Sequence, residues 1–269
     1  MEATGNNQYV LITGATQGIG YELAKLFAKD SYNLVIVARH QQELDQKAAE
    51  LRQHGIEVVP IAKDLFNRSE AMELFEELIR RGIQIDILVN NAGQGVYGLF
   101  KDNELERELE IIDLNIAATV ILTKHIVRQM IERNSGKILN LASIASKTPG
   151  PWQAVYHGTK AFMLSFSESL RSELKDTEIT VTALLPGATD TDFFNKADMN
   201  DSKIVQEQDL SDPADVAKDG YEALMSGKDK IVSGMKNKIM VGMSNIMPDT
   251  MVAEQMKKMQ EPADEDKQQ

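Results

Sequence analysis

Tyr9-Val10-Leu11-Ile12-Thr13-Gly14-Ala15-Thr16-Gln17-Gly18-Ile19-Gly20 is the stretch from which the rest of the chain can be read. It opens as a short apolar run, the pattern of a parallel strand buried on both faces. Past its glycines it continues into Tyr21-Glu22-Leu23-Ala24-Lys25-Leu26-Phe27-Ala28, whose apolar spacing is helical. Strand, glycine turn and helix in that order make a phosphate cradle. Gly14 permits the tight turn, Gly18 lets backbone approach a ligand, and Gly20 lets helix and strand pack closely. The helix N-terminus then offers free N–H groups to an anion. Gly14, Thr16, Gln17, Gly18, Ile19 and Gly20 are the expected contacts of that turn.

Working outward, Asn33-Leu34-Val35-Ile36-Val37-Ala38 reads as a second strand, placed where a dinucleotide fold recognises the adenosine ribose. An acidic residue at its end would favour NAD, but this chain has Ala38-Arg39-His40. A 2′-phosphate suits the planar fork of Arg39, so NADP(H) is the expected cofactor and NAD(H) the alternative. The other reading of Arg39 is a solvated side chain at a strand end. A polar helix follows over residues 41–54, then a third strand, Glu57-Val58-Val59-Pro60-Ile61, leading to Lys63-Asp64-Leu65. Two readings stand for Asp64: acceptor for an adenine amino group, or cap of the helix beginning near Ser69. Ile85-Asp86-Ile87-Leu88-Val89 is a fourth strand, closed by Asn90-Asn91-Ala92-Gly93, small and amide residues that suit a chain passing under a ligand. Strands alternating with helices predict an α/β fold, a Rossmann-type doubly wound parallel sheet flanked by helices on both faces.

Residues 103–133 read as one long helix with an apolar middle covered on both sides, by the sheet and by a second subunit. Asn115 interrupts that middle. It either satisfies local backbone or holds a water in a proton path. A fifth strand, Lys137-Ile138-Leu139-Asn140-Leu141, delivers Ser143 at its carboxyl end, where open parallel sheets bind ligands; the alternative is a serine that caps a helix. Thirteen residues later come Tyr156 and Lys160, four apart on one helical face and able to act on the same atom. A phenol has a reference pKa of about 10. An ammonium one turn away pulls it down, making Tyr156 usable as a general acid or base. Trp152, in the turn-rich loop before it, is a substrate wall or a loop anchor. A further strand, Ile179-Thr180-Val181-Thr182-Ala183-Leu184-Leu185, ends in Pro186-Gly187-Ala188-Thr189-Asp190-Thr191.

The chain has 269 residues, no cysteine and a net charge of -12. Disulfides, thiolate metal sites and cysteine nucleophiles are therefore excluded, and general binding to nucleic acid is disfavoured for want of surplus Lys and Arg. No apolar run approaches the length of a membrane span. With its polar N-terminus, this leads us to expect a cytoplasmic protein with no integral membrane segment.

The glycine turn, Asn90-Asn91-Ala92-Gly93, Asn115, Ser143, the Tyr156/Lys160 pair and Pro186-Gly187 together resemble the short-chain dehydrogenase/reductase family over roughly residues 8 to 232. Within it, the sequence looks most like DltE-like bacterial ketoreductase-type members. The resemblance implies hydride exchange between a nicotinamide and a carbonyl carbon. Tyr156 would move the proton, Lys160 would lower its pKa and bond the nicotinamide ribose, Ser143 would hold the substrate oxygen, and Asn115 would position a water. Asn91, Ala92 and Gly93 would line the riboses, and Thr189 and Thr191 would reach the carboxamide. Asp64, Leu65, Pro186 and Gly187 complete the expected cofactor contacts, and no metal is required. One departure is Gln17, where NADP-preferring members often carry a basic residue, so the NADP(H) preference rests on Arg39. The partners expected are a small-molecule carbonyl or alcohol and a second copy of the chain, as homodimer or homotetramer. The competing readings are a cofactor-binding regulator or scaffold without turnover, disfavoured by the intact Ser, Tyr, Lys and Asn set, and a non-redox sugar-nucleotide epimerase or dehydratase, whose relatives are usually longer.

Residues 1–8 are expected to be flexible, 9–232 to form a single catalytic domain with a lid at 187–212, 233–260 a Met-rich helical extension, and 261–269 a disordered acidic tail. Phe193 and Phe194 are the lid residues expected against substrate. Met235, Met240, Met243, Met247, Met251, Met256 and Met259 lie in two helical runs broken by Pro248. They either pack against the body or a second subunit, or form an apolar lid for a lipid-like substrate.

Overall fold

The computed structural model describes residues 7–207, 209–244 and 247–263. The first strand, β1 (Tyr9–Thr13), is buried along most of its length and feeds the glycine turn directly into α1 (Gly18–Lys29). Then come β2 (Asn33–Ala38), α2 (Gln41–Leu51), β3 (Val58–Ala62), α3 (Arg68–Arg80) and β4 (Ile85–Asn90). The second half adds β5 (Gly136–Leu141), α6 (Ala154–Glu173), β6 (Ile179–Leu185), α9 (Pro213–Met225) and β7 (Lys230–Val232). Among the described residues, seven strands pair in parallel, in the order β3-β2-β1-β4-β5-β6-β7. The chain therefore winds outward one way from β1 and then the other way from β4. The gap between the carboxyl ends of those two strands is the switch point at which such sheets bind ligands.

Apolar clusters fill both faces of the sheet. One joins Phe27 and Leu44 to Leu34 and Ile36, the other joins Leu74 and Ile126 to Val35 and Leu88. One sheet covered on both sides makes this a single domain of the expected class.

The expected long helix is present but not uniform. It begins as α4 (Leu105–Ile112), passes through a π-helical segment (Asp113–Ala118), and continues as α5 (Thr119–Glu132). Apolar periodicity carries no mark of the wider turn. Asn67, not Asp64, caps α3, accepting a bond from the Ser69 N–H at 3.0 Å. Asp64 instead accepts from the Phe66 N–H at 3.2 Å. This removes the capping reading of Asp64.

Beyond β6, α7 (Phe193–Lys196) and α8 (Lys203–Gln206) lie in the segment expected as a lid, and α10 (Met235–Ser244) and α11 (Asp249–Gln260) in the expected extension. The expected disorder from residue 261 does not hold for its first three residues. Ser202 pairs with Pro262 in a β-bridge, the Ala263 N–H donates to the Asp201 carbonyl at 2.8 Å, and Lys203 meets Glu261 at 2.9 Å. The remainder of the expected tail and residues 1–6 lie outside the described residues.

Candidate active site

A cavity of about 410 Å³ runs across the carboxyl ends of the strands, lined from Gly14 and Arg39 at one end to Met256 and Met259 at the other. At the first end, Gly14 has φ +67°, a conformation L side chains rarely adopt, as the tight turn requires. Gly20 is fixed by close approach: a Cβ there would stand 2.3 Å from both the Asn91 amide nitrogen and the Gly14 carbonyl. Asn91 is thereby given a structural task beyond the expected ribose contact. Its Nδ2 donates to the carbonyls of Thr13 (2.8 Å) and Gly14 (3.0 Å), tying β4 to the glycine turn. Gln17 supplies no side-chain cap to α1, so the first-turn N–H groups of Gly18 and Ile19 stand at the cavity wall.

Arg39 lies over the Phe66 ring, with 5.3 Å between guanidinium carbon and ring centre. Among the described residues no carboxylate pairs with it. An unsatisfied helix N-terminus, a left-handed glycine and an unpaired guanidinium on one wall fit a dinucleotide: the pyrophosphate on the turn and the adenosine end toward Arg39. His40, Glu43 and Lys63 line this end as well and escaped the sequence reading. Lys63 is paired with Glu73 at 2.7 Å.

At mid-cavity, Ser143 stands just past β5 in extended backbone, accepting from the Ala145 N–H at 3.1 Å and donating to the Pro186 carbonyl at 3.3 Å. It is thus both a cap and a site residue. Tyr156 and Lys160, one turn apart on α6, face it. Burial pushes the Tyr156 phenol up to about 12, against a downward pull from the neighbouring Ser143 hydroxyl. Burial pushes the Lys160 ammonium down to about 8. The expected lowering of Tyr156 by Lys160 is therefore corrected. Lys160 Nζ donates to the Leu141 carbonyl at 2.9 Å and sits 5.7 Å from the Tyr156 ring centre, and burial sets the direction of the phenol's shift.

Asn115, brought inward by the π turn, is committed to protein partners. Its Oδ1 accepts from the Gln94 N–H at 3.0 Å, and its Nδ2 donates to the Gln94 carbonyl and to Thr159 Oγ1, both at 2.9 Å. The local-backbone role is the one on view. A Cβ on Gly93 would nevertheless lie 3.2 Å from Asn115 Oδ1 and 3.3 Å from Lys160 Nζ, so these two polar atoms face one small space that glycine keeps open.

Thr16, Asp64, Leu65, Ala92, Gly93, Pro186, Gly187, Thr189 and Thr191 all line the cavity, as do Phe193 and Phe194. Phe193 lies 5.1 Å from Tyr156, ring centre to ring centre, while Phe194 packs into a small apolar cluster with Ala197 and Met199. Trp152 is the one expected substrate residue the structure keeps off the cavity wall. It stacks on Tyr97 at 5.5 Å, and its carbonyl accepts from the Gly98 N–H at 2.9 Å, so it anchors the loop. Of the methionines, Met240, Met256 and Met259 line the cavity, whereas Met235, Met243 and Met251 are exposed. His157, Gln153 and Gln260 also reach the cavity and were missed. Gln153 and His157 share a face of α6 with Lys160 by their spacing, a signal available in the sequence; nothing local marks Gln260.

The family model for short chain dehydrogenases matches residues 8–202. An uncharacterized oxidoreductase of Staphylococcus epidermidis is 31% identical over 75% of this chain and 86% of its own length. The ketoacyl reductase HetN of Nostoc is 33% identical over 66% of this chain and 62% of its own. Among solved structures, a short-chain dehydrogenase from Sphingobium yanoikuyae in complex with NADPH superposes with a TM-score of 0.79 at 28% identity, covering 90% of this chain and 96% of that one. The chain belongs to the short-chain dehydrogenase/reductase family of oxidoreductases. The comparisons leave the DltE-like subgroup unconfirmed.

Proposed function

We propose that this chain is an NADP(H)-dependent oxidoreductase that interconverts a carbonyl and a secondary alcohol, with Tyr156 as general acid in reduction and general base in oxidation. The observation that carries the reading is that Ser143, Tyr156 and Lys160 line one cavity with the glycine turn. The bound nicotinamide supplies or takes the hydride. At neutral pH Tyr156 holds its proton, because burial keeps it near 12. It is therefore set to donate to the oxygen of a carbonyl being reduced, while the Ser143 hydroxyl, turned from the Pro186 carbonyl, would hold the same oxygen. Two donors on a developing alkoxide supply stabilisation where the transition state needs it. Lys160 carries charge below about pH 8 and lies where it reaches both the phenol side and the space beneath Gly93. A water there, accepted by the second lone pair of Asn115 Oδ1, would return a proton to the Tyr156–Lys160 pair.

The unpaired Arg39 supports NADP(H) over NAD(H). The test is a titration of NADPH and NADH, followed by cofactor fluorescence, in wild type and Arg39→Ala. NADPH affinity should fall about tenfold to a hundredfold in the variant with NADH unchanged, the scale of a charge-assisted hydrogen bond to phosphate. Equal binding of both cofactors by wild type removes the NADP(H) assignment, and binding of neither moves the chain to the scaffold reading.

Leu105 and Leu109 expose one apolar stripe of α4, and we assign this helix to the contact of a homodimer or homotetramer. A monomer by sedimentation removes that assignment.

A further inference from the structure

Helix α11 ends on Gln260, which is 2% exposed and whose carbonyl accepts from Tyr97 Oη at 2.5 Å. Chemistry fixes which way its side-chain amide points. His157 Nδ1 lies 2.8 Å from the Thr148 carbonyl, an atom that only accepts, so Nδ1 carries the proton. Burial keeps the imidazole neutral by holding its pKa below the ordinary range, so Nε2 is an acceptor. Gln260 Nε2, 3.0 Å away, must be the donor. Gln260 Oε1 is then left buried with no hydrogen-bond partner among the described residues.

One turn before His157, Gln153 is 4% exposed, and its Nε2 is likewise buried and unpartnered. This nitrogen belongs to the reacting end of the cavity. A Cβ on Gly95 would stand 2.9 Å from Phe193 Cζ, 3.2 Å from Gln153 Nε2 and 3.4 Å from Tyr156 Cδ2. Both glutamines line the same cavity. A buried amide group left without a partner is costly, so each such group calls for an explanation. Here one is an acceptor and the other a donor, the two functions that a hydroxyl carries. Apolar, adaptable residues also line the cavity, Met199, Ile204, Met240, Met256 and Met259, beside the polar Lys196 and Asn237.

We propose that Gln153 and Gln260 form a subsite for a second oxygen of the substrate, and that the substrate class is a bulky apolar ketone carrying a hydroxyl remote from the reacting carbonyl. This rests on the oxidoreductase reading above. The hydroxyl donates to Gln260 Oε1 and accepts from Gln153 Nε2, while the apolar body lies on the methionines. In this arrangement the C-terminal extension is a specificity element, and His157 is a positioning residue that orients Gln260.

The experiment compares NADPH-dependent reduction of 2-decalone, 6-hydroxy-2-decalone and cyclohexanone by the full chain. Wild type should show a kcat/KM for the hydroxydecalone about tenfold or more above that for decalone, since a site built to hydrogen-bond a hydroxyl rejects the analogue lacking it. Gln260→Met and Gln153→Met should each bring that ratio toward one, with the NADPH Kd reporting that the variants are folded. Gln260→Met gives up the link to His157, so Gln153→Met, whose Nε2 makes no bond to lose, carries the test if the first variant does not fold. Equal kcat/KM for the two decalones, reduction of cyclohexanone alone, or a ratio unmoved in the folded variants overturns the inference and leaves the oxidoreductase reading standing. Failure to reduce any of the three while NADPH binds overturns that reading, and the inference with it.

Discussion

At the Gly14 end of the cavity the walls are backbone and the ends of buried strands, whereas at the Met256 end they are side chains of the segment after β6 and of a C-terminal helix, joined by scattered polar contacts. The first end is rigid for a local reason. Its turn, its helix and its strand lie within twenty-odd residues, and Asn91 ties them to the neighbouring strand. The second end is assembled from distant segments, with Tyr97 bonded to Gln260 163 residues away and Lys203 to Glu261 58 away. Rigid backbone suits a ligand that never varies, and movable methionines suit one that does. On the proposed reading, the molecule keeps its constant chemistry and its selectivity in different materials.

The sharpest way to break that division is at the boundary. Tyr156→Phe should lower kcat by about a hundredfold to ten thousandfold, the usual contribution of a general acid, while cofactor fluorescence shows the NADPH Kd hardly changed. A comparable loss of NADPH affinity would mean that the two ends are not separable. Next in size is the pH response. Lys160 is an ammonium below about 8 and loses its charge above it, so kcat/KM for reduction should be level below that pH and fall by about tenfold per unit above it. The profile of Lys160→Met should be low and flat, and a wild-type rate that climbs through pH 8 would contradict the assigned role.

The glycine end is then tested by Gly20→Ala. The new methyl meets backbone and a doubly bonded amide at 2.3 Å, which neither can yield, so the cost should be about 1–3 kcal/mol and the Tm should drop by several degrees. An unchanged melting curve would show this end to be softer than its geometry implies. Ending the chain after Ser233 should raise KM for long or bulky carbonyls and spare short ones; an equal loss for both would deny the extension its part in selectivity. The smallest effect belongs to Lys203→Gln. Its ion pair with Glu261 is partly solvated and should be worth under about 1 kcal/mol in thermal stability.

The same contrast explains what could be read from the sequence. The glycine turn, Ser143, Tyr156 and Lys160 were legible because each sits at a strand end or on one helical face, where spacing dictates position. The α4 to α5 helix was legible as a helix but not as one with a π segment, since hydrophobic periodicity tolerates an extra residue. Trp152 was ambiguous because a tryptophan in a loop suits a wall or an anchor, and only its stacking partner Tyr97 decides. The Tyr156 environment was misjudged for a deeper reason: pairing shows in spacing, but desolvation depends on everything that covers the pair. Gln260 could not be found at all, because its significance lies in a histidine 103 positions earlier.

The π segment at Asp113–Ala118 has a bearing on how this scaffold can change. A helix ordinarily has one phase, so a residue gained or lost at any point rotates everything beyond it. A widened turn absorbs that rotation and acts as a coupling between two shafts. The packed face of α4 and that of α5 are thereby set independently, one toward α6 and the other toward α3 and the sheet. Asn115 sits in the coupling itself, where neither shaft's packing dictates its direction. Mutational drift on either side can retune the outer contacts of this long helix without turning the amide away from Gln94 and Thr159.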